Sequence, residues 1–219
     1  MRELLRALTF VALMLPAAVA LGCASSPTQL PHFATVGDIT IGYPDGFELD
    51  DVGSDPQQTI ETALDGSSRS YQEASISILN SDYTVSVAVS QLDGVRFDDE
   101  LAVFERAAEG FDPALADEAG EFEQRWGLEQ GYLENMASAT TVQAPERTTV
   151  AGRDAFSSET RMDLFNYATD EPAPFVSRTY CIALDDDSVA LVTYGGTVDD
   201  IEANQDAIDA MLASIEIAA

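Results

Sequence analysis

The segment FVSRTYCIALDDDSVALVTY, residues 175–194, decides the fold of this chain. Phe175 to Leu184 and Val189 to Tyr194 are rich in β-branched and aromatic residues, which favours strands. The acidic run between them, Asp185 to Ser188, is typical of a solvated hairpin turn. The segment therefore predicts two antiparallel strands, and we expect the rest of a sheet to assemble around them.

A second hairpin lies earlier in the chain. Tyr71 to Leu79 and Tyr83 to Leu92 alternate apolar and polar residues, and Asn80-Ser81-Asp82 separates them. Because successive side chains of a strand point to opposite faces, this alternation predicts one buried and one more polar face. The residues expected on the buried face are Ile76, Ile78, Val85, Val87 and Val89.

Helices are predicted after Asp98, from Asp112-Pro113 onward and after Thr197. Asp98 is placed to cap a helix whose apolar residues recur at helical spacing, and Thr197 with Asp200 forms a capping box for a last helix. Strands that pair in hairpins, with helices inserted between them, predict an α+β fold: a curved antiparallel sheet with helices packed on it.

Three segments are predicted to interrupt the strands. Asp163 to Pro174 contains two closely spaced prolines, which cannot continue a central strand, so we expect a loop there. Gly195-Gly196 is expected to end the preceding strand. Pro56 to Leu64 is expected to form a short helix after an acidic loop at Asp50 to Asp55.

The N-terminus has the layout of a secretory signal peptide. Arg2 and Arg6 precede an apolar run, Ala7 to Leu21, that is too short to span a bilayer. The run ends in Ala20-Leu21-Gly22-Cys23, which resembles the lipobox of bacterial lipoproteins, where the cysteine is acylated and becomes the first mature residue. Ala20 and Leu21 depart from the usual lipobox residues. The alternative is an ordinary signal cleaved near Ala18-Val19-Ala20.

These features predict three parts in the chain. Residues 1–22 form a lipoprotein signal peptide, residues 23–35 a lipidated, flexible tether and residues 36–219 a single α+β domain. We expect the protein on the extracytoplasmic face of the cell membrane, attached by acyl chains on Cys23.

Composition limits the possible partners and chemistry. The net charge of −29 and the absence of lysine argue against nucleic acid and anionic lipid headgroups as partners. The one histidine, His32, falls in the predicted tether, so we expect a body without the commonest general base and zinc ligand. If Cys23 carries lipid, Cys181 has no partner for a disulfide, and its strand-like surroundings predict a buried, inert thiol.

No catalytic, metal or cofactor site is predicted from the residue pattern. The acidic runs at Asp50 to Asp55 and Asp185 to Asp187 lack the ligand spacing of a calcium loop, and the serine-hydrolase motif Gly-x-Ser-x-Gly is absent. The best candidate for a contact surface is the predicted loop carrying Phe165, Tyr167 and Phe175, because long loops often carry function.

Three short motifs carry a resemblance to a known family. Tyr43 to Phe47, Thr149 to Ala155 and Asp209 to Ile217 resemble the corresponding parts of bacterial lipoproteins of the LpqN and DcrB kind, within a wider PsbP-like group. The resemblance implies an α-β-α sandwich and a docking or accessory role without catalysis. It supplies no catalytic residues, and the acidity of this chain departs from the family.

Together these observations predict a membrane-tethered, non-enzymatic accessory or protein-binding module whose partner is another envelope protein. A carrier of a small apolar ligand, held between the helices and the concave face of the sheet, is the alternative. An enzyme is a third hypothesis, and it requires a pair of buried carboxylates with raised pKa values. The oligomeric state stays open.

Overall fold

The computed structural model describes residues 28–62, 68–110, 112, 114, 116–127, 129–131, 134, 139–166 and 171–218. The predicted signal peptide, the lipidation site Cys23 and the contact residue Tyr167 lie outside this range. In the described residues, no helix is long and apolar enough to cross a membrane.

The secondary structure is mainly β. The strands are β1 (His32–Val36), β2 (Ile39–Tyr43), β3 (Phe47–Thr62), β4 (Ser68–Asn80), β5 (Val85–Asp93), β6 (Thr140–Val142), β7 (Glu146–Val150), β8 (Arg153–Asn166), β9 (Glu171–Ala183), β10 (Ser188–Thr197) and β11 (Glu216–Ile217). The helices are α1 (Phe97–Glu109), α2 (Ala116–Trp126) and α3 (Val198–Ala213).

The described strands form two antiparallel sheets. The large sheet has the order β3-β4-β5-β10-β9-β8-β6, and β7 also pairs with β8, next to β6 along the same edge. The small sheet has the order β1-β2-β11. The two predicted hairpins form the centre of the large sheet, since β5 pairs with both β4 and β10, and β10 also pairs with β9. The large sheet is open, with β3 at one edge and β6 and β7 at the other.

One face of the large sheet packs against the small sheet and α3. Ile76 lies opposite Val89 and Ile78 opposite Val87, so the predicted buried face is confirmed. The core there continues into the small sheet and into α3. Full burial of such side chains stabilises the fold by about 1.5–3 kcal/mol each. Those contributed by the small sheet and α3 are Val36, Ile39, Ile41, Ile201, Ile208 and Met211.

The opposite face of the large sheet is covered by α1. Phe156 and Cys181, which are paired across β8 and β9, are both fully buried there. Phe97 and Phe104 of α1 contact the Phe156 ring, with centroids 5.4 Å and 5.2 Å away. Helices therefore lie on both faces of an open antiparallel sheet, which confirms the predicted α+β class.

The helix starts differ in how they are capped. Thr197 caps α3 as predicted, because its Oγ1 accepts a hydrogen bond from the Asp200 N–H at 3.3 Å and donates to the Asp200 carboxylate. At α1 the N-cap is Arg96, which makes no side-chain capping bond. Asp98 lies in the first turn of α1 instead, where the helix dipole favours a negative charge.

The predicted loop at Asp163 to Pro174 is wrong at both ends. β8 continues to Asn166 and β9 begins at Glu171, and Asp163 pairs with Pro174. β10 pairs with β9 only as far as Phe175, so the proline-bearing part of β9 has β8 as its one described neighbour. Proline is tolerated there because an edge strand needs no donor on its outer side.

Two other predicted interruptions are also strands. β10 runs through Gly195-Gly196, where a Cβ on Gly196 would lie 2.6 Å from the Thr84 carbonyl oxygen. Glycine is present at 196 because the neighbouring backbone approaches closely. Residues 56–62, predicted as helix, belong to β3, whose register shifts between Asp50 and Gln57 accommodate Pro56.

The first strand begins inside the predicted tether. His32 to Thr35 pair with β2, and Ala34 and Val36 are buried against the core. The prediction of a body without histidine is therefore wrong. The His32 imidazole stacks on Tyr43 with ring centroids 5.2 Å apart, and its Nε2 lies 2.8 Å from Asp45 Oδ1.

Candidate functional site

A buried carboxylate between two arginines marks one face of the large sheet. Glu159 on β8 lies opposite Arg178 on β9, which in turn lies opposite Tyr194 on β10. The Glu159 side chain is 8% exposed. Its Oε2 accepts a hydrogen bond from Arg178 Nη2 at 2.5 Å, and its Oε1 accepts one from Arg161 Nε at 2.7 Å. We call Glu159, Arg161 and Arg178 the arginine cluster.

The arginine cluster holds Glu159 in its ionised form. Burial alone would raise the pKa of the Glu159 carboxyl, but the hydrogen bonds and positive charges of Arg161 and Arg178 outweigh burial and lower it. Gln143 reinforces the arrangement, since its backbone N–H donates to the Glu159 carbonyl oxygen at 2.8 Å. The carboxylate is therefore an acceptor for arginine and is poorly suited to give or take a proton near neutral pH.

A cleft of about 290 Å³ adjoins the arginine cluster. Tyr180 connects the two, because it lines the cleft and its hydroxyl accepts a hydrogen bond from Arg178. Most of its lining side chains are apolar, and the cleft is open to solvent. Its lining residues are Thr149, Val150, Ala151, Tyr180, Leu212, Ala213 and Ile215.

One rim of the cleft is formed by a tight turn and the other by a hydrogen-bonded helix end. On one side, Ala151 and Gly152 both have positive φ angles, which allows the tight turn between β7 and β8. On the other side, Ser214 closes the end of α3: its Oγ donates to the Met211 carbonyl oxygen at 2.6 Å and accepts from the Gly42 N–H at 2.8 Å. Both rims are thus defined before any ligand binds.

A second buried carboxylate lies under α1 on the opposite face. Glu100 is 3% exposed, and its Oε2 accepts a hydrogen bond from Arg69 Nη1 at 2.6 Å. Arg69 also donates to Glu61 on β3. This ion pair ties α1 to the edge of the sheet. Glu100 and Glu159 lie on opposite faces, so they do not form the paired acid and base that the enzyme hypothesis requires.

A larger hollow of about 670 Å³ lies along α2. The described part of its lining is polar and acidic, and the Glu123 carboxylate there accepts a hydrogen bond from the Gly131 N–H at 2.8 Å. That bond joins the helix to the segment after it. We favour the smaller cleft as the binding site because most of its lining side chains are apolar and Tyr180 links it to the arginine cluster.

The residues predicted as a contact surface occupy the β8–β9 hairpin. Phe165 lies on β8 opposite Pro172, and Phe175 lies on β9 opposite Met162. The Phe175 ring is half-buried against Gly195, its Cζ 3.0 Å from the position of a Cβ there. The ring thus packs on β10. The contact role of Phe165, Tyr167 and Phe175 stays a prediction.

Two other predictions concern reactive groups. Among the described residues, no three histidine, cysteine, aspartate or glutamate side chains lie close enough to hold a metal ion. Cys181 is buried as predicted, and burial, with the nearby charge of Glu100, raises the pKa of its thiol.

Sequence reasoning did not identify the arginine cluster. The sequence did indicate it: Glu159 and Ala155 are four residues apart on β8 and so lie on the same face of the strand, and Ala155 is fully buried. A carboxylate on the buried face of a strand requires a cation nearby. The partner Arg178 could not be inferred without the register between β8 and β9.

Comparisons with known proteins give weak structural likenesses. No protein-family model and no curated protein matches this chain. Among solved structures, the chain is similar to the PsbP of Synechocystis, with 10% identity, a TM-score of 0.46 and coverage of 89% of this chain and 95% of that one. It is also similar to LpqN of Mycobacterium tuberculosis, described as involved in cell envelope biogenesis, with 12% identity, a TM-score of 0.36 and coverage of 89% and 100%.

A third match is a Bacteroides thetaiotaomicron protein, with 10% identity, a TM-score of 0.38 and coverage of 83% of this chain; the present chain spans 46% of its length. PsbP and LpqN are the kinds of protein that the sequence motifs resemble, but at these TM-scores no functional argument rests on the likeness. The fold and the site define the class: an α+β protein with an open antiparallel sheet and a cleft on one face.

Proposed function

We propose that this protein is a lipoprotein, anchored through Cys23 on the extracytoplasmic face of the cell membrane, and that it is a non-enzymatic module binding another envelope protein. The observation that supports binding is the apolar cleft beside the arginine cluster. Its size suits one or two side chains of a partner, and the arginine cluster beside it, with two arginines and one glutamate, keeps one net positive charge for an acidic group.

Three features of the described residues favour binding over catalysis. The Glu159 carboxyl has a lowered pKa, whereas a general acid or base at neutral pH needs a raised one. The Cys181 thiol is buried with a raised pKa, so it is a poor nucleophile. The His32 imidazole is engaged with Asp45 and Tyr43 and is not part of the cleft lining.

The binding proposal is tested by filling the cleft. Ala213 is an exposed residue of the cleft at the end of α3, so Ala213→Arg places a long side chain there without burying a charge. Ala107→Arg, at an exposed position on α1, is the matched control. Full-length protein is cross-linked in intact cells and purified, and captured proteins are identified by mass spectrometry.

We expect at least one protein that is captured by the native chain and by Ala107→Arg, and lost with Ala213→Arg. Capture that is the same for all three chains would show that the cleft is not the binding site. An absence of specific capture with the native chain would contradict the protein-binding role itself.

The anchor is tested separately. Cys23→Ala removes the proposed acylation site, so the protein is expected to leave the membrane fraction, and metabolic labelling with a fatty acid is expected to label the native chain alone. Membrane association of the Cys23→Ala chain would contradict the proposed anchor.

The second candidate function is that of a carrier for a small apolar ligand. The apolar cleft favours it, although about 290 Å³ is at the lower end of the usual range of ligand pockets. Organic extraction of the purified protein, followed by mass spectrometry, is expected to return a stoichiometric small molecule if this function holds. Extracts without one would leave protein binding as the better account.

A further inference from the structure

Two exposed aromatic side chains, Phe33 and Tyr83, lie at the end of the body where the chain enters it. Among the described side chains, the large apolar groups classed as exposed are Phe33, Leu49, Ile60 and Tyr83. Phe33 is 65% exposed and lies at the start of β1, while Tyr83, 68% exposed, lies in the turn between β4 and β5. Leu49 follows close to the start of β3, whereas Ile60 lies near its other end.

Hydrogen bonds join these chain segments into one end of the molecule. His32 Nε2 lies 2.8 Å from Asp45 Oδ1 in the turn between β2 and β3. The Gly46 carbonyl oxygen of that turn accepts a hydrogen bond from the Ser81 N–H at 2.9 Å. Tyr83 follows two residues later. We call residues 28–33, 43–47 and 80–84 the entry end.

The incoming chain is held against the outer face of the small sheet. Gly42 is the reason, because a Cβ at this position would lie 3.1 Å from Leu30 Cδ1 and 3.2 Å from Phe33 Cε1. Because Gly42 has no side chain, the side chains of Leu30 and Phe33 both pack against β2 at this position. The chain therefore lies against this face at Leu30, two residues after Thr28.

On β1 and β2 the outer face of the small sheet is uncharged, and β11 adds the exposed Glu216, which lies opposite Thr40. On β1 and β2 it consists of Phe33, Thr35, Thr40 and Gly42, and the two threonine hydroxyls are hydrogen-bonded to each other at 3.0 Å. Ile39 and Ile41 point the other way, into the core. The uncharged part of this face on β1 and β2, with its protruding phenyl ring, suits a lipid interface.

Covalent geometry limits the distance between this face and the anchor. Five residue spacings separate Cys23 from Thr28, and at 3.3–3.6 Å each they reach at most about 18 Å. The headgroup layer takes about 6 Å of this reach. With Cys23 acylated, Thr28 therefore lies within about 12 Å of the membrane surface.

We propose that the entry end rests on the lipid surface, with Phe33 and Tyr83 inserted between the headgroups. The occupant of this apolar surface is the membrane that carries the anchor, and the inference rests on the proposed acylation of Cys23. In this orientation β3 leads away from the membrane. Ile60 pairs with Ser70, ten residues along β4 from Asn80, so it lies roughly 33 Å from the entry end.

The test uses tryptophan fluorescence and brominated lipid. Lipidated full-length protein is reconstituted into phosphatidylcholine vesicles with brominated or ordinary acyl chains. Trp126→Phe provides the background, into which Phe33→Trp, Tyr83→Trp or Ile60→Trp is introduced. Ile60 is the matched control because its exposure, 67%, equals that of the other two positions within a few per cent.

We expect brominated lipid to reduce the Phe33→Trp and Tyr83→Trp emission at least about twofold and to leave the Ile60→Trp emission nearly unchanged. Quenching at position 33 or 83 no stronger than at position 60 would overturn the inference. Mass spectrometry of the reconstituted protein separates the two proposals: a chain without acyl mass on Cys23 contradicts the anchor, whereas an acylated chain with unquenched indoles contradicts the membrane contact alone.

Discussion

Glu159→Gln tests whether the arginine cluster stabilises the fold through its charge. The variant keeps the side-chain volume and one acceptor oxygen but removes the negative charge between Arg161 and Arg178. Hydrogen bonds to charged groups contribute about 1.5–3 kcal/mol each when shielded from water. Arg178 is 38% exposed and Arg161 59% exposed, so both recover part of their hydration when the carboxylate is lost.

Most of the loss should therefore come from the Arg178 bond, and we expect about 2 kcal/mol at pH 7. With an m-value of about 2 kcal/mol/M, this shifts the urea midpoint by about 1 M. Glu105→Gln, at an exposed position of α1, is the control because it changes the net charge equally. Circular dichroism of the body, expressed from Ala24 onward, measures each midpoint.

The pH dependence of this loss has a definite sign. The Glu159 carboxyl has a lower pKa in the folded state than its unfolded value, about 4.3, so its stabilisation is complete above that value. It is lost as pH falls through the folded pKa, when the native carboxyl becomes neutral as well. We expect the gap between the native chain and Glu159→Gln to shrink below pH 4. A gap that stays constant down to pH 3, with both chains still folded, would refute the charge explanation.

Three further perturbations follow from the packing. Gly196→Ala is expected to lower the free energy of unfolding by about 1–3 kcal/mol, because its Cβ would lie 2.6 Å from the Thr84 carbonyl oxygen. Gly120→Ala in α2, where a Cβ has no atom within 4 Å, is expected to raise it by about 0.5–1 kcal/mol. Urea unfolding compares the two variants. Thr197→Ala removes the cap of α3 and is expected to cost about 1 kcal/mol by the same assay. The Cys181 thiol, buried and with a raised pKa, is expected to react with a thiol reagent only in guanidinium; rapid reaction of the native body would contradict its burial.

The local sequence determined the central hairpins and the last helix. The alternation in β4 and β5 predicted which valines and isoleucines are buried, because a strand has a side-chain period of two whatever its neighbours. The cap at Thr197 was also readable, since it involves residues three positions apart. The predicted hairpin turn at Asp185 to Ser188 lies between β9 and β10, where the Leu184 N–H donates to the Ser188 carbonyl oxygen.

Tertiary structure decided what depends on neighbours distant in the sequence. Prolines 172 and 174 indicated a loop, but they are accommodated in β9 because that part of the strand lies at a sheet edge. Likewise, Gly195-Gly196 indicated a strand end, while the close approach of the Thr84 carbonyl oxygen and the Phe175 ring explains glycine within β10. Whether a residue breaks a strand depends on what lies beside it, and the sequence does not state the strand order.

The candidate site belongs to the same category. Glu159 and Arg178 are 19 residues apart and meet through the β8–β9 register, and the cleft combines a turn, a central strand and the end of α3. By itself, the sequence determined the alternating strands, the acidity of the surface and a lipobox-like segment ending at Cys23. Only the tertiary structure placed an ionised glutamate between two arginines beside an apolar cleft, because burial and charge pairing arise when separate strands and a helix are packed together.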